Sequence, residues 1–170
     1  MLAETVPDAG GAVFVPAFTG LGAPYWDMYA RGALLGVTRG TGKAHICRAV
    51  LESIAYESLD LFDAMVAGSG VAISELRVDG GASRSRFLMQ YQSDILHCTV
   101  RQPVCLETTA LGSAMMAGLA VGVWDSLEEL GTIWKLKTEY RPQIAPGEEA
   151  AAVKRWHKAV ERCSDWATEE

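Results

Sequence analysis

Leu76-Arg77-Val78-Asp79-Gly80-Gly81-Ala82-Ser83-Arg84-Ser85-Arg86-Phe87 reads as a short strand, a double-glycine turn and the start of a helix. Leu76 and Val78 alternate with polar neighbours, as a half-buried strand does. Gly80 and Gly81 lack a Cβ, so the backbone can take a positive φ and a flat ligand can lie against it. Ser83 and Ser85 both suit the N-cap of the run Phe87-Leu88-Met89-Gln90-Tyr91. A helix start offers unpaired N–H groups and partial positive charge to phosphate or ribose oxygens. Taken alone, the pattern is more simply a turn that needs glycine for steric reasons, and the flanking sequence has to decide.

Upstream, residues 43–66 carry a helical pattern. Ile46, Val50, Ile54, Leu61 and Met65 recur at helical spacings as its apolar face, widened by Cys47, Leu51 and Phe62. Thr41 can cap its start and Gly68-Ser69-Gly70 stops it. Glu52, Glu57, Asp60 and Asp63 read as its solvated face, with Glu52 kept open as a possible functional carboxylate. Before this helix, Ala12-Val13-Phe14-Val15-Pro16-Ala17-Phe18 forms a short apolar strand that Pro16 confines or ends. The loop Thr19-Gly20-Leu21-Gly22-Ala23-Pro24-Tyr25-Trp26-Asp27 places two aromatic rings beside an acid. They either line a cleft or tuck back onto the core. Ala33-Leu34-Leu35-Gly36-Val37 follows as a second small-residue stretch.

Downstream, Cys98-Thr99-Val100-Arg101 is a second strand of the central unit, closed by Pro103. Thr108 or Thr109 caps a helix rich in small residues over 110–121, and its first turn is a second place where helix N–H groups can face a ligand. Gly112, Gly118 and Gly122 in and after it point to close approach by a neighbour or ligand. Ser126 and Glu129 fit a capping box. Residues 133–140 form an edge strand or extended loop. Residues 148–166 form an amphipathic helix with Val153, Trp156, Val160 and Cys163 on one stripe. Strands alternating with helices indicate an α/β or α+β domain with helices against a mixed sheet.

The 170 residues suffice for one domain with its own core. A net charge of −6 argues against a general nucleic-acid binder. No apolar run is long enough for a bilayer, and the N-terminus has no signal-peptide pattern, so neither a membrane nor a secretory route is expected. Cys47, Cys98, Cys105 and Cys163 form no CxxC pair and fit reduced thiols in the cytoplasm. His45, His97 and His157 match no zinc spacing, and no metal ligand is assigned. Gly-Thr-Gly-Lys at 40–43 fails as a phosphate loop, because Ala44 stands where Ser or Thr is required. No GxSxG elbow occurs.

Longer motifs carry a family resemblance. Gly32-Ala33-Leu34-Leu35-Gly36-Val37, then His45-Ile46 and Ala49-Val50-Leu51-Glu52, resembles the second signature of the FGGY carbohydrate kinases. Residues 14–27 with Ala30-Arg31-Gly32 resemble the glycerol kinases in particular. Arg77-Val78-Asp79-Gly80-Gly81-Ala82, Phe87-Leu88-Met89-Gln90, Gln92-Ser93-Asp94-Ile95-Leu96 and Thr109-Ala110-Leu111-Gly112 continue the likeness, as does the stretch 117–122.

The resemblance implies an actin-like ATPase (ribonuclease H-like) α/β domain, with a mixed sheet flanked by helices and lacking its first strands. Residues 1–9 would be a connector or a cut end, and 10–170 the C-terminal, nucleotide-binding domain. It implies ATP with Mg²⁺ as the phosphoryl source and glycerol as acceptor, yielding glycerol 3-phosphate and ADP. The whole enzyme would be a cytoplasmic homo-oligomer. Gly80, Gly81 and Ser85 correspond to nucleotide contacts; Ser85 stands where asparagine is frequent, and a serine still donates and accepts a hydrogen bond. The catalytic aspartate, the glycerol-holding residues and the first phosphate hairpin correspond to positions ahead of this segment. No catalytic residue is therefore expected in this chain, which would be inactive by itself. The alternatives are a fragment of another FGGY sugar or polyol kinase, or a non-catalytic nucleotide-binding or protein-interaction domain.

Overall fold

The computed structural model describes residues 1–167. Two small sheets and five α-helices build it. Strand β1 (Val13–Val15) pairs antiparallel with β2 (Ala33–Leu35), Val13 facing Leu35 and Val15 facing Ala33. Helix α1 (Lys43–Ser69) ends where Gly70 turns to φ 69° and returns its N–H to the Val66 carbonyl. Strand β3 (Glu75–Arg77), helix α2 (Arg86–Leu96) and strand β4 (Thr99–Pro103) then form a parallel crossover unit, with Leu76 beside Val100. Helix α3 (Thr108–Ala120) and the short α4 (Leu127–Gly131) lead to β5 (Leu136–Tyr140), which pairs antiparallel with β4. Helix α5 (Ala150–Cys163) closes the chain. The larger sheet is thus mixed, in the order β3-β4-β5. Among the described residues the outer edge of β3 has no strand partner, which leaves a row of backbone groups open to pairing.

The strand expected over 12–18 stops at Val15, just before Pro16, whose missing N–H cannot join a ladder. The core gathers Val15, Leu88, Met89, Ile95, Val100 and Trp156 around one centre. Trp156 is fully buried and stacks on Tyr56, with ring centroids 5.5 Å apart and planes 19° from parallel. The α5 stripe read from the sequence faces this core: Trp156, Val160 and Cys163 are all buried.

Helix α1 packs by a different face from the one its apolar spacing indicates. Ile46, Val50, Ile54, Leu61 and Met65 remain exposed, while Ala49, Glu52, Ser53, Ala55, Tyr56, Leu59 and Asp60 turn inward. The inward stripe is built of small side chains, which admit neighbouring elements closely, and of polar ones whose partners are inside. Glu52 and Asp60 are therefore not solvated, contrary to the sequence reading: Glu52 pairs with Arg48 at 2.7 Å, and Asp60 accepts from three side chains.

Residues 1–9 lie on α1. A single 3-10 turn over Leu2–Thr5 buries Ala3, and Arg48 Nη1 donates to the Val6 carbonyl at 2.8 Å. Helix α3 is apolar nearly all round, yet Met116 on it and Val121 and Val123 just after it are exposed. No helix among the described residues is long and apolar enough to cross a membrane.

Candidate functional site

The double-glycine turn leaves β3 at its C-terminal end. Val78 N–H donates to the Arg101 carbonyl, continuing the parallel ladder one step beyond the strand. Gly80 then takes φ 74°, the left-handed region where a side chain is disfavoured. Gly81 does not: its φ is −63° and ψ −38°, a conformation open to any residue. A Cβ placed on Gly81 would meet no atom within 4 Å, and the same holds for Gly80. The fold thus requires glycine at 80 for its backbone, and at 81 for no reason inside the molecule.

The two serines divide their roles. Ser85 is the N-cap of α2 and accepts from the Leu88 amide at 3.2 Å. Ser83 lies inside a 3-10 turn over Ala82–Arg84, where its buried hydroxyl donates to the Gly80 carbonyl at 2.7 Å and stiffens the turn. Gln102 from β4 reaches across and donates to the Ser83 carbonyl. Ser85 keeps its own O–H proton available for a further acceptor.

The first turn of α3 is brought to the same place. Gly80 N–H donates to the Leu106 carbonyl at 2.8 Å, and Glu107 is the N-cap without a side-chain cap bond. The opening amides of α3 therefore lack a side-chain acceptor and border the glycine turn. Gly112, one turn into α3, is also open within 4 Å. Gly118 serves packing instead, because a Cβ there would collide with the Trp124 ring. Arg84 approaches Glu107 at 4.0 Å over this junction.

The two rings of the aromatic loop part company. Tyr25 stays partly open to solvent, but its hydroxyl reaches inward and donates to Asp60 Oδ2 at 2.8 Å, and burial, then Asp60, raise its phenol well above the usual range. Trp26 points out with 79% of its surface exposed; Met28, two residues on, and Phe18, ahead of the loop, are exposed as well. Asp27 organises the loop, accepting from the amides of Tyr29, Ala30 and Asp165 at 2.8–2.9 Å. The Asp165 amide, with the other two, holds its carboxyl below the ordinary carboxylate range.

A second polar cluster lies between α1 and α2. Burial raises the carboxyl of Glu52 against the opposing pull of Arg48. One turn along, Tyr56 shares a short hydrogen bond with Tyr91, and burial pushes the Tyr56 phenol up to about 12. The histidines stay apart: His97 pairs with Glu149 and His157 with Asp60, each at 2.9 Å. Among the described residues no three His, Cys, Asp or Glu side chains converge as a metal site. Exposed Phe18 and the Asp60 hub were missed by sequence reading. A buried carboxylate in a helix carries no local signal, because its partners lie 35 and 96 positions away.

Residues 1–121 match the profile of the FGGY family of carbohydrate kinases, C-terminal domain. The chain belongs to this family. Among FGGY relatives, a glycerol kinase from Janthinobacterium sp. (strain Marseille) is 58% identical over 165 residues, 97% of this chain and 33% of that protein. A glycerol kinase from Saccharolobus islandicus (strain L.S.2.15 / Lassen #1) is 53% identical over 166 residues, again 33% of its length. The chain spans about a third of the curated relatives it matches. In three dimensions it is similar to the Plasmodium falciparum glycerol kinase crystallised with ADP, with a TM-score of 0.83, 34% identity, and coverage of 95% of this chain and 32% of that one. It also resembles a gluconate kinase from Lactobacillus acidophilus, with a TM-score of 0.74, 26% identity and the same coverage. As an FGGY domain, the chain has the actin-like α/β fold expected from its motifs.

Proposed function

We propose that this chain is the nucleotide-binding part of an ATP-dependent glycerol kinase, which transfers the terminal phosphoryl group of ATP to a glycerol hydroxyl. The observation that carries the reading is Gly81. It is a glycine with ordinary helical dihedrals, exposed, with open space where a Cβ would stand. Such a position needs no glycine for folding, but a flat base or ribose lying on the backbone needs one. Gly80, Gly81 and the free proton of Ser85 would hold the adenosine, and the uncapped first turn of α3 would face its oxygens.

Phosphoryl transfer works by positioning and by offsetting charge on the phosphates, which Mg²⁺ supplies when bound. The part played by this chain is positional. The Gly80–Leu106 hydrogen bond keeps the glycine turn and the start of α3 at one fixed separation, and Ser83 prevents the turn from relaxing. The open rings of Phe18 and Trp26 offer apolar faces for the carbon side of a small polyol. The four free thiols, Cys47, Cys98, Cys105 and Cys163, support the cytoplasmic reading.

Titrating MgADP against the chain and against Gly81→Val tests the proposal. Saturable binding that the variant loses, at unchanged thermal stability, is the expected result; equal binding by both would remove Gly81 from the site. In a coupled ADP-release assay with glycerol and MgATP the chain alone should show no turnover. A second reading, a domain that works by pairing with another polypeptide, is favoured by the unpaired β3 edge and the exposed apolar surface of α3.

A further inference from the structure

Asp60 sits in the middle of α1, only 5% exposed. A buried carboxylate is costly unless its oxygens are fully paired. Here the pairing comes from two other parts of the chain. Trp156 Nε1–H donates to Oδ2 at 2.6 Å and His157 Nε2 lies 2.9 Å from Oδ1, both from α5. Tyr25 O–H donates to the same Oδ2 at 2.8 Å from the aromatic loop. The C-terminal end of α5 touches this loop again. Arg31 N–H donates to the Cys163 carbonyl, Asp165 N–H to Asp27 Oδ2, and Ala167 N–H to the Tyr29 carbonyl.

We propose that Asp60 is a positioning residue of the 19–31 loop, acting beside Asp27: its carboxylate ties Tyr25 to α5 and so sets where the exposed ring of Trp26 stands. Tyr25 is the inward anchor and Trp26, its neighbour, is the outward ring, so the direction of one fixes that of the other. The turn leaves little freedom between them, because Trp26, at φ 51°, donates its N–H to the Gly22 carbonyl and Leu21 N–H donates to the Asp27 carbonyl. The loop has only a small apolar anchor of its own in buried Leu21 and Ala30. That the ring so placed meets an acceptor rests on the kinase reading above; the placement itself does not.

Amide hydrogen exchange on the chain separates the two. In Tyr25→Phe, which removes one hydroxyl and no ring, the amides of Leu21, Trp26, Tyr29 and Ala30 should exchange about tenfold faster or more, the scale set by one hydrogen bond to a charged group. Amides of α1 and α5 should stay as slow as in the parent. Asp60→Asn should accelerate the same four amides, and should also loosen α5 around Trp156. Loop rates unchanged in Tyr25→Phe, or a rise spread evenly over loop and core, would overturn the proposal. If Asp60→Asn proves too unstable to measure, Tyr25→Phe still decides. Neither variant touches Gly81, so failed nucleotide binding in the parent would count against the kinase reading alone.

Discussion

The amide of Gly80 donates to the carbonyl of Leu106 across 2.8 Å, joining the glycine turn after β3 to the approach to α3. Two segments 26 positions apart thereby become one surface, and each of them is unremarkable on its own.

The two glycines should respond oppositely to alanine. Gly80 has φ 74°, so Gly80→Ala should cost about 1–2 kcal/mol. Gly81 has φ −63° with open space around it, so Gly81→Ala should leave stability equal or raise it by about 0.4–1 kcal/mol through the unfolded chain. Guanidinium denaturation of both variants measures the difference, and equal losses would mean that Gly81 is a structural glycine.

The neighbouring serines separate by depth. Ser85→Ala removes the cap of α2 and should cost about 1 kcal/mol. Ser83→Ala removes a buried donor from the Gly80 carbonyl and should cost about 1–3 kcal/mol. Only the first should also weaken nucleotide binding by a direct contact. Ser85→Thr, which keeps both the hydroxyl and a competent cap, should restore most of each.

Trp156→Phe keeps an aromatic ring in the core but takes the indole N–H from Asp60, and about 1–3 kcal/mol should be lost. Trp156→Ala adds a cavity at a fully buried site, and about 3–5 kcal/mol should go. Thermal unfolding of the pair reads the two contributions separately.

Alkaline pH should weaken the fold through its buried phenols. Burial raises Tyr56 from 10.0 to about 12 and raises Tyr91 beyond it. A phenol whose folded pKa lies above the unfolded one contributes stability that is complete below about pH 10 and is lost as pH rises through the folded value. The denaturation midpoint should therefore fall between pH 10 and 12. Tyr91→Phe, lacking one such group, should show a shallower fall.

Elements with a strong local signature were legible in the sequence. The α2 unit after Gly80-Gly81, the Ser126 cap of α4 and the α5 stripe through Trp156 formed where their patterns put them, although the expected capping box closes only halfway, Glu129 accepting from the Asp125 amide. The inward face of α1 was not legible, because apolar spacing marks Ile46, Val50 and Ile54, while the packing uses Ala49, Ser53 and Tyr56. Burial of Asp60 was hidden for the same reason: a carboxylate reads as solvated until its donors, Tyr25 and Trp156, are placed beside it. For the candidate site, the glycines and serines were visible in the sequence, but that only Gly80 needs its glycine for the backbone is a fact of dihedral angles.

On the kinase reading, the Gly80–Gly81 turn and the first turn of α3 form one nucleotide surface. The most direct measurement is a titration of the ¹⁵N-labelled chain with MgADP, followed by amide chemical shifts. Saturable shifts concentrated at Gly80, Gly81, Ser85 and the amides of residues 108–112 are the predicted result. No shift at saturating MgADP, or shifts centred on the Glu52–Tyr56–Tyr91 cluster between α1 and α2, would contradict it.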